Sequence, residues 1–258
     1  MVETRASKRK RSPPHDDQHA ADEDMQPQRR KPTVSNSGLN NIRAHNKPVV
    51  PAQNRLTTSP ERSQSLTSSR VPIFTIGHGT RTLSSLIDIL QSACVTKLVD
   101  VRSIPRSRKN PQFNQDALST SKELQQARID YIWLGPKLGG RRSAAQPNVE
   151  RHTAIRVSAF RNYAGYMSTS VFRDGLEELI ALADKVHSEG NRGVAIMCSE
   201  TLWWRCHRRM IADALAVTGR NVLHLGITKG APAEHVLWNI ARIDDDGGLM
   251  YDVKSDIG

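Results

Sequence analysis

Short apolar runs alternate with stretches of helical periodicity along most of this chain, and that alternation limits its fold more than any other feature. Val71 to Gly77, Thr96 to Val101, Ile129 to Leu134, Val194 to Cys198 and Asn221 to Gly226 read as strands. Between them apolar residues recur at helical spacing. Thr82 is placed to cap a helix carrying Leu83, Leu86, Ile87 and Leu90, and Asn114 to cap another over about 115–128. Helical patterns cover 159–168 and 170–189, and a further one runs from about Leu202 to Val217 and ends at Gly219. A short helix near 233–240 and a hairpin around Asp245-Asp-Gly-Gly248 are expected beyond it. Short strands separated by helices make a parallel sheet covered on both faces. The expected fold is α/β: a single Rossmann-like three-layer domain with a mostly parallel sheet, over residues 71–258.

Residues 1–70 differ in kind. They hold thirteen Lys/Arg against seven Asp/Glu and no Phe, Trp, Tyr or Cys. Such a segment cannot bury enough apolar surface to offset the entropy of ordering it, so a disordered basic arm is expected. The whole chain carries a net charge of +11, which suits an anionic small molecule or nucleic acid as partner. Lys8-Arg-Lys-Arg11 and Arg29-Arg-Lys31 lie near prolines and read equally as nuclear-import signals or as a solvated tail. The three cysteines do not make a disulfide framework and read as free thiols in a reducing compartment. No apolar run approaches the roughly 18–20 residues of a membrane span, and the N-terminus lacks the apolar stretch of a secretory signal. A soluble, intracellular protein of nucleus or cytoplasm is expected, with no membrane partner. The oligomeric state is not readable.

In parallel sheets of this kind ligands bind outside the carboxyl ends of the strands. The residues just past those ends are therefore the candidates. Arg102, Arg106, Arg108 and Lys109 crowd one loop with Pro105, and an arginine fork suits phosphate or carboxylate. Asp100 stands beside them to orient an arginine. Gly139-Gly-Arg-Arg142 adds a candidate flap with Arg141. Gly77-His-Gly-Thr80 presents His78 and Thr80 on a turn whose backbone N–H groups, with the following helix N-terminus, suit an anion. It is neither the dinucleotide fingerprint nor a Walker motif.

The stretch from Val194 to Arg209 gathers more reactive residue types than any other. Cys198 at a strand end is a candidate nucleophile, its thiol activated by a helix N-terminus and arginines. Glu200 is the leading general acid or base, with Asp100 second. Arg208 joins the anion-binding set. Cys206 is expected in the core on a helix face with Met210, and Cys94 in the core too. His207 stands between core and pocket, and one of Trp203 and Trp204 is expected to be buried. Cys198, Cys206 and His207 are also possible metal ligands, but zinc sites usually pair cysteines two to four residues apart. No cofactor is expected, zinc standing as the weaker alternative.

Five ordered motifs carry a resemblance to a known family. They are Thr75-Ile-Gly-His-Gly-Thr80; Val99-Asp-Val-Arg102 with Pro105-Arg-Ser-Arg-Lys-Asn-Pro-Gln-Phe113; Leu138-Gly-Gly140; Phe160-Arg-Asn-Tyr-Ala-Gly-Tyr-Met167; and Met197-Cys-Ser-Glu-x4-Arg-Cys-His-Arg208. The chain resembles the domain-of-unknown-function family 488 over about residues 72–253, including Pro232-Ala-Glu-His235. The resemblance implies an α/β domain with a Rossmann-like sheet and supplies no reaction. The family pattern has Ser where this chain has Gly79.

Three functions remain in play. The first is an enzyme or enzyme-like domain acting on an anionic, nucleotide or nucleic-acid-like ligand. Arg102, Arg106, Arg108, Arg141, Thr80 and Arg208 would hold the anion, and Cys198, Glu200, Asp100 and His78 would carry the chemistry. The second is a non-catalytic nucleotide or nucleic-acid binding module. The third, weaker, is a metal-binding regulator built on Cys198, Cys206 and His207.

Overall fold

A computed structural model of the chain describes residues 72–190, 193–228 and 230–253. The basic arm expected over residues 1–70 lies outside them. In chain order the elements are β1 (Ile73–Gly77), α1 (Leu83–Ser92), β2 (Val95–Asp100), α2 (Gln115–Ser119), α3 (Lys122–Gln126), β3 (Asp130–Trp133), α4 (Gly135–Leu138), α5 (Ser158–Met167), α6 (Ser170–Ser188), β4 (Gly193–Cys198), α7 (Arg208–Val217), β5 (Val222–His224), β6 (Ala233–Glu234), β7 (Ala241–Ile243) and β8 (Leu249–Tyr251). Short 3-10 turns occupy Pro111–Phe113, Val149–Arg151 and Trp203–Arg205. Among the described residues no helix is long and apolar enough to cross a membrane.

The fold is α/β around a mostly parallel six-stranded sheet of order β3-β2-β4-β1-β5-β6. The first five strands run parallel and β6 is antiparallel to β5. Side chains alternate between the faces of a strand, and two cores follow from that. Ile73, Val99, Val194 and Ile196 face Tyr163, Phe172, Leu179 and Ile211 from α5, α6 and α7. Phe74, Ile76, Leu98 and Met197 face Leu86, Leu90, Leu118 and Leu124 from α1, α2 and α3. β1 and β4 are buried along their whole length, which is why they read as continuous apolar runs.

One topological feature positions the site. β4 inserts between β2 and β1, whereas the dinucleotide-binding order runs 3-2-1-4-5-6. The ends of β2, β4 and β1 therefore lie side by side, with Asp100 opposite Met197 and Gly77 opposite Cys198. The pairing continues past the strand ends. His78 N donates to Cys198 O and Gly79 N to Ser199 O, each at 3.0 Å. Gly77 has no room for a side chain, since a Cβ there would lie 1.9 Å from Glu200 O.

Several local expectations are corrected. The helix expected from Leu202 begins at Arg208, because Trp203 stacks on His224 at 3.9 Å and Cys206 is extended (φ −135°, ψ 150°). The helix expected over 115–128 divides: Ser121 is extended and its Oγ accepts from Leu124 N at 3.1 Å, starting α3 afresh. No helix forms near 233–240. Ala233 and Glu234 pair with β5, and the His235 side chain is drawn inward. Cys94 is exposed rather than core, in a left-handed turn (φ 53°) between α1 and β2. Thr82 does cap α1, accepting from Ser85 N, and the hairpin forms as β7 and β8.

Candidate functional site at the carboxyl edge of the sheet

Asp100, Arg102 and His78 form a buried polar unit where β2 and β1 end. The Arg102 guanidinium donates from Nε to Asp100 Oδ1 at 2.9 Å and from Nη2 to Oδ2 at 2.5 Å. Nη2 also donates to Phe113 O at 2.6 Å, and the Tyr131 hydroxyl donates to Asp100 Oδ2 at 2.8 Å. Nη1 lies 3.2 Å from His78 Nε2. His78 Nδ1 lies 3.0 Å from Gly79 O, and a carbonyl can only accept. The ring proton therefore sits on Nδ1, and Nε2 accepts from Arg102. Burial holds the His78 pKa down at about 4, so the ring stays neutral near pH 7. It stacks on Phe113 at 4.3 Å. Both nitrogens are engaged, and His78 and Asp100 act as struts that fix Arg102.

The second unit is one strand over. Cys198 Sγ, Cys206 Sγ and a ring nitrogen of His207 all lie within 4.8 Å of one another, and all three residues are buried. β4 delivers Cys198, and the extended residue before α7 delivers Cys206. His207 is the N-cap residue of α7. His207 Nε2 lies 2.9 Å from Val101 O, which places the proton on Nε2 and turns the Nδ1 lone pair toward Cys206 Sγ at 3.5 Å. The Cys198 thiol is pushed up by its hydrogen bond to Cys206 and by burial. Burial also opposes charge on Cys206, but the Cys198 S–H and the Arg208 guanidinium outweigh it and hold Cys206 below the usual thiol range. Cys206 is buried in the same core cluster as Met210, as expected, but it precedes α7 instead of lying on a helix face, and its Sγ also lies close to Cys198. Arg208 is itself fully buried. Its Nη2 donates to the carbonyls of Glu200 and Thr201, while Nε and Nη1 meet no acceptor.

Gly140 walls this unit. An ideal Cβ there would lie 2.5 Å from His207 Nδ1. Its loop is pinned: Arg141 N donates to Ser103 Oγ at 3.0 Å, and Arg142 Nε to Gly139 O at 2.8 Å. Tyr163 and Tyr166 of α5 anchor it further by donating to Leu138 O and Lys137 O. Gly140→Ala is expected to destabilise the domain by about 1–3 kcal/mol, because His207 is held by Val101 and cannot retreat. A shift of the urea midpoint reads this, and an unchanged midpoint would sink it.

The remaining candidates form the rim. Thr80, Arg106, Arg108, Arg141 and Glu200 are exposed. Glu200 Oε1 accepts from Leu202 N at 3.3 Å. Among the described residues the side chains of Arg106, Arg108 and Arg141 have no hydrogen-bonding or ionic partner. A groove of about 570 Å³ opens where β2 and β3 end, lined by Ser103, Ile104, Pro105, Arg106 and Trp133 and, from α2, by Gln115, Asp116 and Ser119. Trp133 Nε1 donates to Arg102 O at 2.9 Å, which ties the groove to the buried unit. Gly79 has φ +51°, and the place its Cβ would take is filled by Thr201 Oγ1 at 2.2 Å. A hydroxyl thus stands where the family pattern has a serine, but it comes from β4's loop.

Sequence reasoning missed a third buried unit. Asp213 of α7 accepts from Trp238 N at 3.0 Å and from the Tyr251 hydroxyl at 3.1 Å. Its Oδ1 lies 2.9 Å from His235 Nε2, His235 Nδ1 lies 3.1 Å from His224 Nε2, and His224 Nδ1 lies 2.7 Å from Thr75 Oγ1. A carboxylate only accepts, so each ring donates toward Asp213 and the Thr75 hydroxyl donates to His224. His235 stood in a quoted motif and Asp213 has Arg209 four residues earlier as a local partner, but nothing local points to His224. Their meeting is a tertiary fact.

The architecture is that of an α/β protein whose parallel sheet ends in buried arginine–carboxylate and thiol–imidazole units under a basic rim. The family described as Domain of unknown function DUF488 matches residues 82–215. The chain belongs to that family. No curated protein and no solved structure matches it.

Proposed function

We propose that this chain binds an anionic, nucleotide-like ligand at the carboxyl edge of its sheet. The observation that carries the reading is the groove beside Trp133, lined by the exposed Arg106, with the exposed Arg141 held next to it by its backbone bond to the lining residue Ser103. Its volume of about 570 Å³ is within the usual range for ligand sites, roughly 300–1,000 Å³. Trp133 and the exposed Ile104 offer a flat apolar wall for a ring, and Arg106, Arg108 and Arg141 offer forks for phosphate. A cavity of about 590 Å³ beside β5 suits an anion less well. Its arginine, Arg81, is already bonded to the carbonyls of Gly77 and Gly226. The buried Arg102 unit is tied to the groove through the Trp133 Nε1 bond to Arg102 O. For chemistry on the ligand, Glu200 has solvent access, whereas Cys198, expected as an activated nucleophile, is buried with its thiol pushed up and is not one. A reducing intracellular setting, nuclear or cytoplasmic, fits the free cysteines.

The test is fluorescence anisotropy with a labelled mononucleotide and a labelled single-stranded oligonucleotide. Arg106→Ala and Arg141→Ala are each expected to weaken binding by roughly tenfold to a hundredfold, the worth of a charge-assisted phosphate contact. Arg173→Ala, on exposed α6 surface, should change nothing. Affinity that survives both edge substitutions would remove this reading. Preference for the oligonucleotide with a steep salt slope would favour a nucleic-acid binding module over a small-molecule site.

A further inference from the structure

The thiol–imidazole unit has a geometry that a hydrogen-bonded pair of cysteines does not require. We infer that Cys198 Sγ, Cys206 Sγ and His207 Nδ1 form a zinc site with a fourth coordination position open to a ligand that is not a protein side chain. This inference is independent of the proposed nucleotide reading.

The first argument is distance. The three donor atoms lie within 4.8 Å of one another. Tetrahedral zinc, with bonds of about 2.3 Å to sulfur and about 2.0–2.1 Å to nitrogen, sets sulfur and nitrogen about 3.5 Å apart. Cys206 Sγ and His207 Nδ1 are 3.5 Å apart. The second is orientation. A histidine that ligates through one nitrogen almost always donates the other N–H to a carbonyl or carboxylate. His207 does so to Val101 O at 2.9 Å, leaving its Nδ1 lone pair free for a metal, 3.5 Å from Cys206 Sγ. A disulfide between the cysteines would leave that lone pair without a partner.

The third argument is Arg208. Its Nε and Nη1 are buried and meet no acceptor, beside Cys206. Orphaned donors of a buried cation are costly. Two thiolates, one neutral imidazole and a divalent cation sum to zero, so Arg208 faces no net repulsion. Metal-bound thiolates keep lone pairs that accept N–H, and so does a hydroxide or other anion in the fourth position. Soft sulfur with imidazole selects zinc over magnesium or calcium. On binding, each thiol gives its proton to solvent.

The spacing of seven residues between the cysteines is unlike the short knuckle of common zinc motifs, and the fold accounts for that. One sulfur comes from a strand end, and the second sulfur and the nitrogen come from consecutive residues entering α7. No knuckle is needed when two elements of a rigid sheet edge supply the ligands.

The test uses the full chain, purified without a metal-affinity column or chelator, and measures metal by plasma mass spectrometry. One zinc per chain is expected. Cys198→Ser, Cys206→Ser and His207→Ala should each lose it, and Cys94→Ser should retain it. If the ligand variants fail to fold, the wild type decides alone. Its zinc is removed by chelator and replaced with cobalt. Thiolate-to-cobalt charge transfer in the near ultraviolet and intense visible bands of four-coordinate cobalt are expected. Folded wild type with neither bound zinc nor a cobalt–thiolate spectrum overturns the inference. So does a metal that survives all three substitutions, or a metal-free Cys198–Cys206 disulfide in fresh protein. Nucleotide binding is not read here, so either idea can fail alone.

Discussion

Replacing Asp213 by alanine is expected to destabilise the domain by about 3–5 kcal/mol, because it takes a buried charged acceptor away from three donors. Asp213 has no solvent exposure and accepts from three elements at once. It takes the His235 Nε2 proton, the Trp238 N–H and the Tyr251 hydroxyl. Without the carboxylate those donors are buried with no acceptor, each at a penalty of about 1–3 kcal/mol before relaxation. The damage should be regional. The segment from Ala233 to Val253 meets Asp213 through His235, Trp238 and Tyr251, with Arg209 of α7 stacked over Trp238 as a second tie. Urea unfolding followed by circular dichroism measures the loss, and amide hydrogen exchange should quicken first in that segment. Asp213→Asn keeps an acceptor for two of the three donors and should lose less. An alanine variant within 1 kcal/mol of wild type would show that the network contributes little (a small loss by the usual scale of about 0.5–3 kcal/mol for single substitutions).

Acid should unfold this domain well before its carboxylates titrate. Burial holds the His78 pKa at about 4 and pushes that of His224 lower still, with His235 and Arg208 adding to the second shift. An unfolded histidine titrates near 6.5. Both folded values are depressed, so the stability they contribute is fully present above about pH 6.5. It is lost as pH falls toward the folded values. Between about pH 6 and 4.5 each histidine contributes a slope of about 1.4 kcal/mol per pH unit, and the two together about 2.7. Across that window of about 1.5 units the loss is about 4 kcal/mol, a large share of the stability of many domains. The buried His152 shifts in the same direction and adds to it. The check is the urea midpoint at pH 7, 6 and 5. His78→Gln should flatten the slope by about 1.4 kcal/mol per unit, even though it lowers stability at pH 7. A midpoint that stays level from pH 7 to 5 would refute the account.

The parts of this fold that were legible in advance are those governed by neighbours in the chain. Thr82 is readable as a cap because a hydroxyl three residues before an N–H is a local arrangement. β1 and β4 are readable because a strand buried on both faces must be apolar throughout. The failures have the same origin. Residues 115–128 have helical periodicity, but periodicity does not register that Ser121 caps a second helix. Residues 233–240 look helical until His235 is paired with His224 and Asp213, side chains eleven and twenty-two residues away.

The candidate site divides in the same way. The rule that ligands gather past strand ends selected His78, Asp100, Arg102, Cys198 and Glu200 from sequence alone, and those residues do lie along the ends of β1, β2 and β4. What each can do was decided by the fold. Arg102 looked available and is bound to Asp100, Phe113 O and His78, while Arg106 is exposed along a groove and Arg141 is exposed next to it. Cys206 and His207 looked like residues on different faces of one helix, and the extended Cys206 before α7 brings both close to Cys198. Sequence by itself determined the class of fold, the strand ends and the residue types they carry, because periodicity and capping act over a few residues. Only the tertiary structure decided that β4 lies between β2 and β1. Strand order is set by packing across the whole sheet, and it is this order that places the thiols beside the arginine–carboxylate unit.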